Sequence, residues 1–592
     1  MLNPKDNRLD YGSILSPPNN YEPDFAIGTT YTLDLDALVG ASISLGLSTE
    51  NDTDLNKNPI FLLEALRSTG DKVALFCESG QIKLPNKPTP LYILLEDMVF
   101  QVTNNNNVQY SKYASFHPKI WLIRYINDEN EVLYRFVVLS RNLTFDRSWD
   151  LSFTMDGRKT EAQINQNNPL IKFIEYLSNF STDDDKTKKI RKIMKELENV
   201  QFKLNSPVFE GFEFIVNGIE KEYSIQNHQL FTSNSLENLL IMSPFLSKGV
   251  ITDFSKRKKS NSKVTLITRL KSLEQLAGEE LENFEFYALK DEVIDGESLL
   301  SEESEQTLKQ DIHAKMYIVE KRSYVDLYLG SLNASHNALY GNVEFMIKIW
   351  AKKRKFNINK ALNGIFNGDR DNPDNPFQLV DMSKIKDEKE KENKLNLVVK
   401  DIVRLSANAK VIPNENKYNL EVNFEKNCKK YDIKIKPLLS NKTKEFAQRI
   451  IFENLDKNQL SEFFVICIKS ENETIRRVIK IPIDNLPEDR QKEVISSIIK
   501  DKTAFIRYVA FLLGDEYILN PIEEDSGEEG TPYKGFTIQW PELYEKMLKA
   551  AMYNPEKFTE LEFLIKTLSD DNVVPKGFDE LYNTFKEVIG DE

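Results

Sequence analysis

Cysteine is nearly absent. Cys77, Cys428 and Cys467 are the only three in 592 residues, far apart and odd in number, which excludes a disulfide framework and a cysteine-bound zinc. A reducing cytoplasm is the expected compartment. No apolar run reaches the ~18–20 residues that a spanning helix needs. The start, MLNPKDNRLDYG, lacks the charged and apolar regions of a signal peptide. The chain is therefore expected to be soluble and to work without a membrane. An excess of positive charge is missing too: 78 Lys plus Arg face 92 Asp plus Glu, a net of −14, which argues against a uniformly basic coat. The deficit is local. Residues 501–592 alone carry −11, leaving −3 for the first 500, so the larger part of the chain can hold basic patches.

What is present suits a folded, multi-domain protein. Hydrophobic residues at 40% and aromatics at 10% are enough to build cores, and 592 residues are too many for one. Residues 1–30 read as an extended arm. Strand-like runs follow at Tyr31–Leu35, Val73–Cys77, Leu91–Leu95, Lys119–Tyr125, Arg135–Leu139 and Leu151–Thr154, with helical stretches at Asn58–Leu66 and Pro169–Phe180. A second series repeats that order: Val208–Val216, Leu239–Ser243, Lys263–Thr268, Phe284–Tyr287, His313–Val319, Val325–Leu329 and Val343–Trp350. Strands alternating with helices predict an α/β layer structure. The expected domains are 1–182, with the arm, and 183–365, then a polar linker 366–396 and a C-terminal α+β region 397–592. The acidic stretch Glu523–Gly530 reads as a loop.

Histidine is as scarce as cysteine, and its positions are informative. His117, His228, His313 and His336 are the whole set. Two of them open apolar, β-rich runs as His-x-Lys: His117–Lys119 and His313–Lys315. Both runs are followed by a strand ending in Ser-x-Asn, Ser140–Asn142 and Ser331–Asn333, and then by an acid, Asp150 and Glu344. The same ordered set therefore occurs twice. By the period of two, His and Lys are expected on one face of a strand. His228 and His336 read as ordinary core or surface residues.

The residue types fit displacement at phosphorus. One imidazole attacks while the other protonates the leaving oxygen, and the roles reverse when water enters. Lys119, Lys315, Asn142 and Asn333 can hold the phosphoryl oxygens. The acids can fix the histidine tautomers, with Ser140 and Ser331 in support. Such a site needs no metal and no cofactor.

On these residues the chain resembles the phospholipase D superfamily, whose signature is His-x-Lys, often with Asp five residues after the lysine, then Gly-Ser-x-Asn. Gly330 supplies that glycine in the second copy, while Leu139 stands there in the first. Arg124 and Glu320 occupy the positions of the missing Asp, and the first acid follows its asparagine by eight residues rather than eleven. The resemblance covers roughly residues 30–350. It implies two α/β halves packed as an internal pseudo-dimer with one complete site per chain, so that no homo-oligomer is required. It also implies His117 as nucleophile and His313 as general acid.

The expected activity is that of a metal-independent phosphodiesterase acting on nucleic acid, through a phosphohistidine. A phospholipid hydrolase or phosphatidyl transferase is the alternative from another enzyme class, and a non-catalytic nucleic-acid-end-binding scaffold the alternative outside enzymes. Three basic runs stand out. Lys186–Lys195 reads as a linker helix. Lys256, Arg257, Lys258 and Lys259, and Lys352, Lys353 and Arg354, flank strands of the second half and could line a groove that tracks phosphates. By analogy with large bacterial proteins of the superfamily, a helicase or ATPase, or another subunit of an antiviral defence system, is the expected partner of region 397–592.

Overall fold

The computed structural model describes residues 11–46, 59–104, 111, 114–145, 148–290, 311–386, 394–428, 431–471, 473–487, 489–513, 540–553, 555, 557–568, 573–575 and 577–590. The stretch Glu523–Gly530 and most of the charged part of the linker lie outside these.

Two large sheets carry the first 380 residues. The first is built from β1 (Glu22–Thr30), β2 (Val73–Glu78), β3 (Val99–Val102), β4 (Ile120–Ile126), β5 (Val132–Leu139), β7 (Ser152–Lys159) and β8 (Val200–Leu204), in the order β3-β2-β1-β4-β5-β7-β8. The second comprises β9 (Phe209–Asn217), β10 (Leu239–Met242), β11 (Val264–Thr268), β12 (Phe284–Leu289), β14 (Met316–Glu320), β15 (Tyr324–Gly330), β16 (Glu344–Lys352) and β17 (Phe377–Leu379). Its order is β17-β12-β11-β10-β14-β15-β16-β9. The two follow one plan: a parallel trio, β3-β2-β1 in the first and β12-β11-β10 in the second, continued from β1 or β10 by antiparallel strands. A short parallel pair, β6 (Ser148–Trp149) with β13 (Asp311–Ile312), bridges the halves. The repeat is structural: this is an α/β fold of two like halves.

Side-chain alternation explains why the halves close on each other. In β4, Ile120 and Leu122 face a core shared by both sheets, while Trp121, Ile123 and Tyr125 face the other way. In β14, Met316 and Ile318 join the shared core while Tyr317 and Val319 point to the opposite side. Phe136 of β5 meets Phe345 of β16 there, with ring centroids 5.6 Å apart, so aromatic rings pack across the interface between the halves.

Two local readings are corrected. Tyr31–Leu35 is not a strand: the strand is Glu22–Thr30, within the stretch expected to be an arm, and Leu35 opens a helix, Leu35–Gly46. Leu91–Leu95 lies in a 3₁₀ helix, Pro90–Met98. Lys186–Lys195 falls in the helix Asp184–Leu197, whose Ile190, Ile193 and Leu197 enter the shared core. Its Lys186 is buried, with Nζ donating to the carbonyls of Gly70, Val73 and Asp97.

The C-terminal region begins with the helix Lys394–Val403 and two four-stranded sheets that share a core. One sheet includes β18 (Ala407–Asn414), β19 (Lys417–Phe424), β22 (Arg449–Leu455) and β25 (Ile483–Asp484). The other has β20 (Asp432–Pro437), β21 (Lys444–Glu445), β23 (Phe463–Lys469) and β24 (Thr474–Lys480). Helices between Arg490 and Gly590 follow, and Val494, Phe505, Leu561 and Phe578 share one core with Leu38, Leu63 and Trp121 of the first half. Glu96 is buried at this seam, accepting from Ser461 Oγ at 2.7 Å and pairing with Arg490 at 2.7 Å. No described helix is long and apolar enough to cross a membrane.

Candidate active site

The two His-x-Lys segments lie immediately before β4 and β14, not within them. The period of two is therefore not what fixes them. In each, the lysine Nζ donates back to the carbonyl of its own histidine, at 2.8 Å for Lys119 and 2.5 Å for Lys315. The backbone of each histidine is held by the opposite half: His117 N–H donates to Val343 O at 2.9 Å, and His313 N–H to Trp149 O at 3.0 Å. Val343 and Trp149 directly precede the two acids.

The acids cross over. Glu344, from the second half, meets Nδ1 of His117, from the first, at 2.9 Å. Asp150, from the first half, serves His313 through a relay: Ser148 Oγ lies 2.6 Å from Asp150 Oδ2 and 3.0 Å from His313 Nδ1. Asp is one methylene shorter than Glu, and a hydroxyl fills the gap. Each acid also accepts from the serine of its own half, Ser140 to Asp150 at 3.2 Å and Ser331 to Glu344. Those serines in turn accept from the backbone N–H just after the acid, Leu151 at 2.8 Å and Phe345 at 3.0 Å. Asn342 donates to Glu344 Oε1 at 2.9 Å. Ser148 and Asn342 each stand two residues before an acid and share its face, a signal that a period-of-two reading around the acids could have found.

Gly330 has φ +149°, and a Cβ there would lie 2.3 Å from Phe345 O. Its freedom serves close approach to the β16 backbone beside Glu344. Asn142 Oδ1 accepts from Thr32 N–H at 3.4 Å. The buried side-chain oxygen of Asn333 has no hydrogen-bond partner among the described residues.

Burial dominates the electrostatics. It holds the His117 imidazole down, to about 4, against the opposing pull of Glu344. At neutral pH that ring is uncharged, with Nδ1 engaged by Glu344 and Nε2 carrying the lone pair. Burial also brings Lys315 down to about 8, and keeps Lys119 well below the ordinary lysine range with help from the neighbouring Lys315 charge. Asp150 is raised by burial. An anionic group entering between the two lysines relieves their repulsion. Among the described residues no group of three or more His, Cys, Asp or Glu could hold a metal ion.

The first half's wall includes residues that the sequence reading missed. The Tyr31 ring packs on His117, centroids 5.1 Å apart, and lies 5.9 Å from Lys119 Nζ. The loop leading into His117 is pinned from several sides. Phe116 N–H donates to Glu78 at 2.7 Å and Ser115 N–H to Asn342 at 3.2 Å. Lys400, from the C-terminal region, donates to Ala114 O at 2.8 Å and Ser115 Oγ at 2.6 Å, with Glu78 3.5 Å away.

The expected basic groove is not at this site. Lys352 pairs across to Tyr324, at the opposite end of β15 and β16 from Gly330 and Glu344, and eight residues of strand span about 26 Å. Lys258 bridges to Leu236, before the far end of β10. Arg257 is buried, its guanidinium donating to Leu230 O at 2.9 Å and to Asp253 at 2.8 Å. Lys259, Lys352 and Lys353 face Glu237, Glu210 and Glu320 at 3.0, 3.5 and 2.8 Å. Lys256 and Arg354 belong to the same two segments. Sequence proximity to a strand does not say which end of it a residue occupies. Arg124 and Glu320 are structural: Arg124 pairs with Asp24 and Glu196 at 2.7 and 2.9 Å, and Glu320 accepts from Ile358 N–H at 3.1 Å. His228 Nδ1 caps a short helix by accepting from Leu230 N–H at 3.3 Å, whereas His336 is exposed against Tyr340.

No family model matches the chain, and no curated protein does. Among solved structures it is similar to yeast tyrosyl-DNA phosphodiesterase, at 13% identity over 58% of this chain and 86% of that one, TM-score 0.35. It is also similar to phosphatidylserine synthase from Haemophilus influenzae Rd KW20, at 14% identity over 65% and 87%, TM-score 0.35. A third likeness is to polyphosphate kinase from Porphyromonas gingivalis, at 13% identity over 66% and 50%, TM-score 0.34.

Proposed function

We propose that this chain is a phosphodiesterase of the phospholipase D type that hydrolyses nucleic acid with its own residues alone. The observation that carries the reading is the exchange of acids between halves, Glu344 on His117 and Asp150 through Ser148 on His313, which joins two His-Lys sets into one site. Nε2 of His117 attacks phosphorus. The bond to the leaving oxygen breaks with its electron pair, and His313 supplies the proton. Water then gives its proton to His313, its oxygen attacks phosphorus, and the P–N bond breaks, restoring both rings. Lys119 and Lys315 meet the charge on the non-bridging oxygens, with Asn142 and Asn333 beside them.

Nucleic acid is favoured over lipid because Arg124 and Glu320 stand where the family often has Asp. A role within a DNA-processing or antiviral assembly is part of the same proposal. The test is purified full-length protein with EDTA, offered single-stranded DNA, duplex DNA, RNA and phosphatidylcholine. Cleavage of a nucleic acid is expected, with phosphate trapped on His117 when a slow substrate is used. Turnover of the lipid alone overturns the nuclease reading, and tight nucleic-acid binding without turnover leaves a scaffold.

A further inference from the structure

The C-terminal region reaches the active-site wall by a run of backbone bridges. Val478 of β24 pairs with Ile82, Ile82 with Leu33, and Leu33 with Leu143, and Val478 N–H donates to Ile82 O at 2.9 Å. Leu143 follows Asn142. Leu33 follows Thr32, whose N–H bonds Asn142, and Tyr31, whose ring covers His117. Val478 is buried in the core shared with the first half. By strand alternation its neighbour Arg477 points the other way.

Arg477 is half-buried, and its guanidinium and the Tyr31 hydroxyl interact electrostatically. Among the described residues its guanidinium donates to the carbonyl of Arg476 at 2.9 Å. Among the described residues no carboxylate pairs with it, in a protein where Lys259, Lys352, Lys353, Arg370, Arg449 and Arg490 each have one. A half-buried cation without a counter-ion is costly unless it has a use, and its fork suits a phosphate. Lys400 shows that this seam is built into the site, since it holds the loop before His117.

We infer that Arg477 completes the active site from the C-terminal region, binding a phosphate of the nucleic-acid strand adjacent to the one on which the histidines act. This rests on the phosphodiesterase reading above and names a contact outside the duplicated halves.

The test is binding of a single-stranded oligonucleotide to full-length H117N, which cannot cleave it, compared with H117N/R477A and H117N/R477K across a salt series. Arg477→Ala is expected to weaken binding about tenfold at low salt and to make the slope of log Kd against log salt shallower by about 0.7, one phosphate contact on a single strand. Arg477→Lys restores most of the slope. A single neutral methylphosphonate walked along the strand weakens H117N at one position and leaves H117N/R477A indifferent there. Unchanged affinity and slope overturn the inference. So does weaker binding with an unchanged slope that Lys fails to rescue, the signature of a purely structural role. Failure of the phosphodiesterase reading shows separately, as absence of cleavage by the protein with His117 intact.

Discussion

Glu344 and His117 belong to different halves of the chain, yet the carboxylate lies 2.9 Å from Nδ1 of the imidazole. A carboxylate only accepts, so it favours the tautomer with the proton on Nδ1 and the lone pair on Nε2, as the proposed attack requires. Glu344→Gln keeps the shape and removes the charge, so kcat is expected to fall by roughly 10–100-fold, with circular dichroism unchanged. Wild-type kcat in this variant would remove Glu344 from the mechanism.

On the proposed mechanism the two histidines act as one unit. His117→Ala and His313→Ala should each abolish nearly all turnover, and the double variant should be no worse than either single one. Additive losses in single-turnover kinetics would mean that the halves work independently.

The acid side of the pH profile follows from the burial of His117. Its pKa, held down to about 4, keeps this proposed nucleophile unprotonated across the range where an ordinary histidine gains its proton, near 6.5. Activity limited by His117 should therefore persist below pH 6 and fall only toward pH 4. A kcat/KM profile whose acid limb begins near 6.5 would contradict this.

Lys315, brought down to about 8, sets the other side. Deprotonation above pH 8 removes a positive charge from the site, so inhibition by inorganic phosphate should weaken as pH rises through 8. A Ki measured between pH 7 and 9.5 checks it, and constant inhibition speaks against Lys315 as the phosphate contact.

Lys400→Met would leave Glu78 buried without its cation, at an expected cost of about 3–5 kcal/mol in unfolding free energy. Burial raises the folded pKa of Glu78 to about 7, above its unfolded value of about 4.3. The folded state thus binds the extra proton, and this stability is present at low pH and lost as pH rises through 7. The variant should be worse at pH 8 than at pH 5.5 in urea titrations, and adding Glu78→Gln should remove that pH dependence.

The duplicated His, Lys, Ser, Asn and acid set was legible because the chemistry demands those residue types and each copy stands at the start or end of a strand. The exchange of acids was not, since nothing in either copy says which half its carboxylate will face. Leu91–Leu95 was misread because a short apolar run has no period of its own, and Thr89 with Pro90 turns it into a 3₁₀ helix. The strand Glu22–Thr30 was hidden by Pro23, beside a register shift, and by Gly28, where a Cβ would come within 2.8 Å of Leu75 and Trp121. The wall formed by Tyr31, Lys400 and Arg477 comes from segments far apart in the sequence, joined only by tertiary bridges.

The crossing of Asp150 and Glu344 also bears on how a duplicated chain can change. When two copies each keep their own catalytic parts, either is free to decay while its sister carries on. Here a change at Glu344 in the second copy is felt at His117 in the first, and a change at Asp150 or Ser148 is felt at His313. Each copy exposes the other's errors to selection, so the pair can diverge in sequence but must be inherited as one working object.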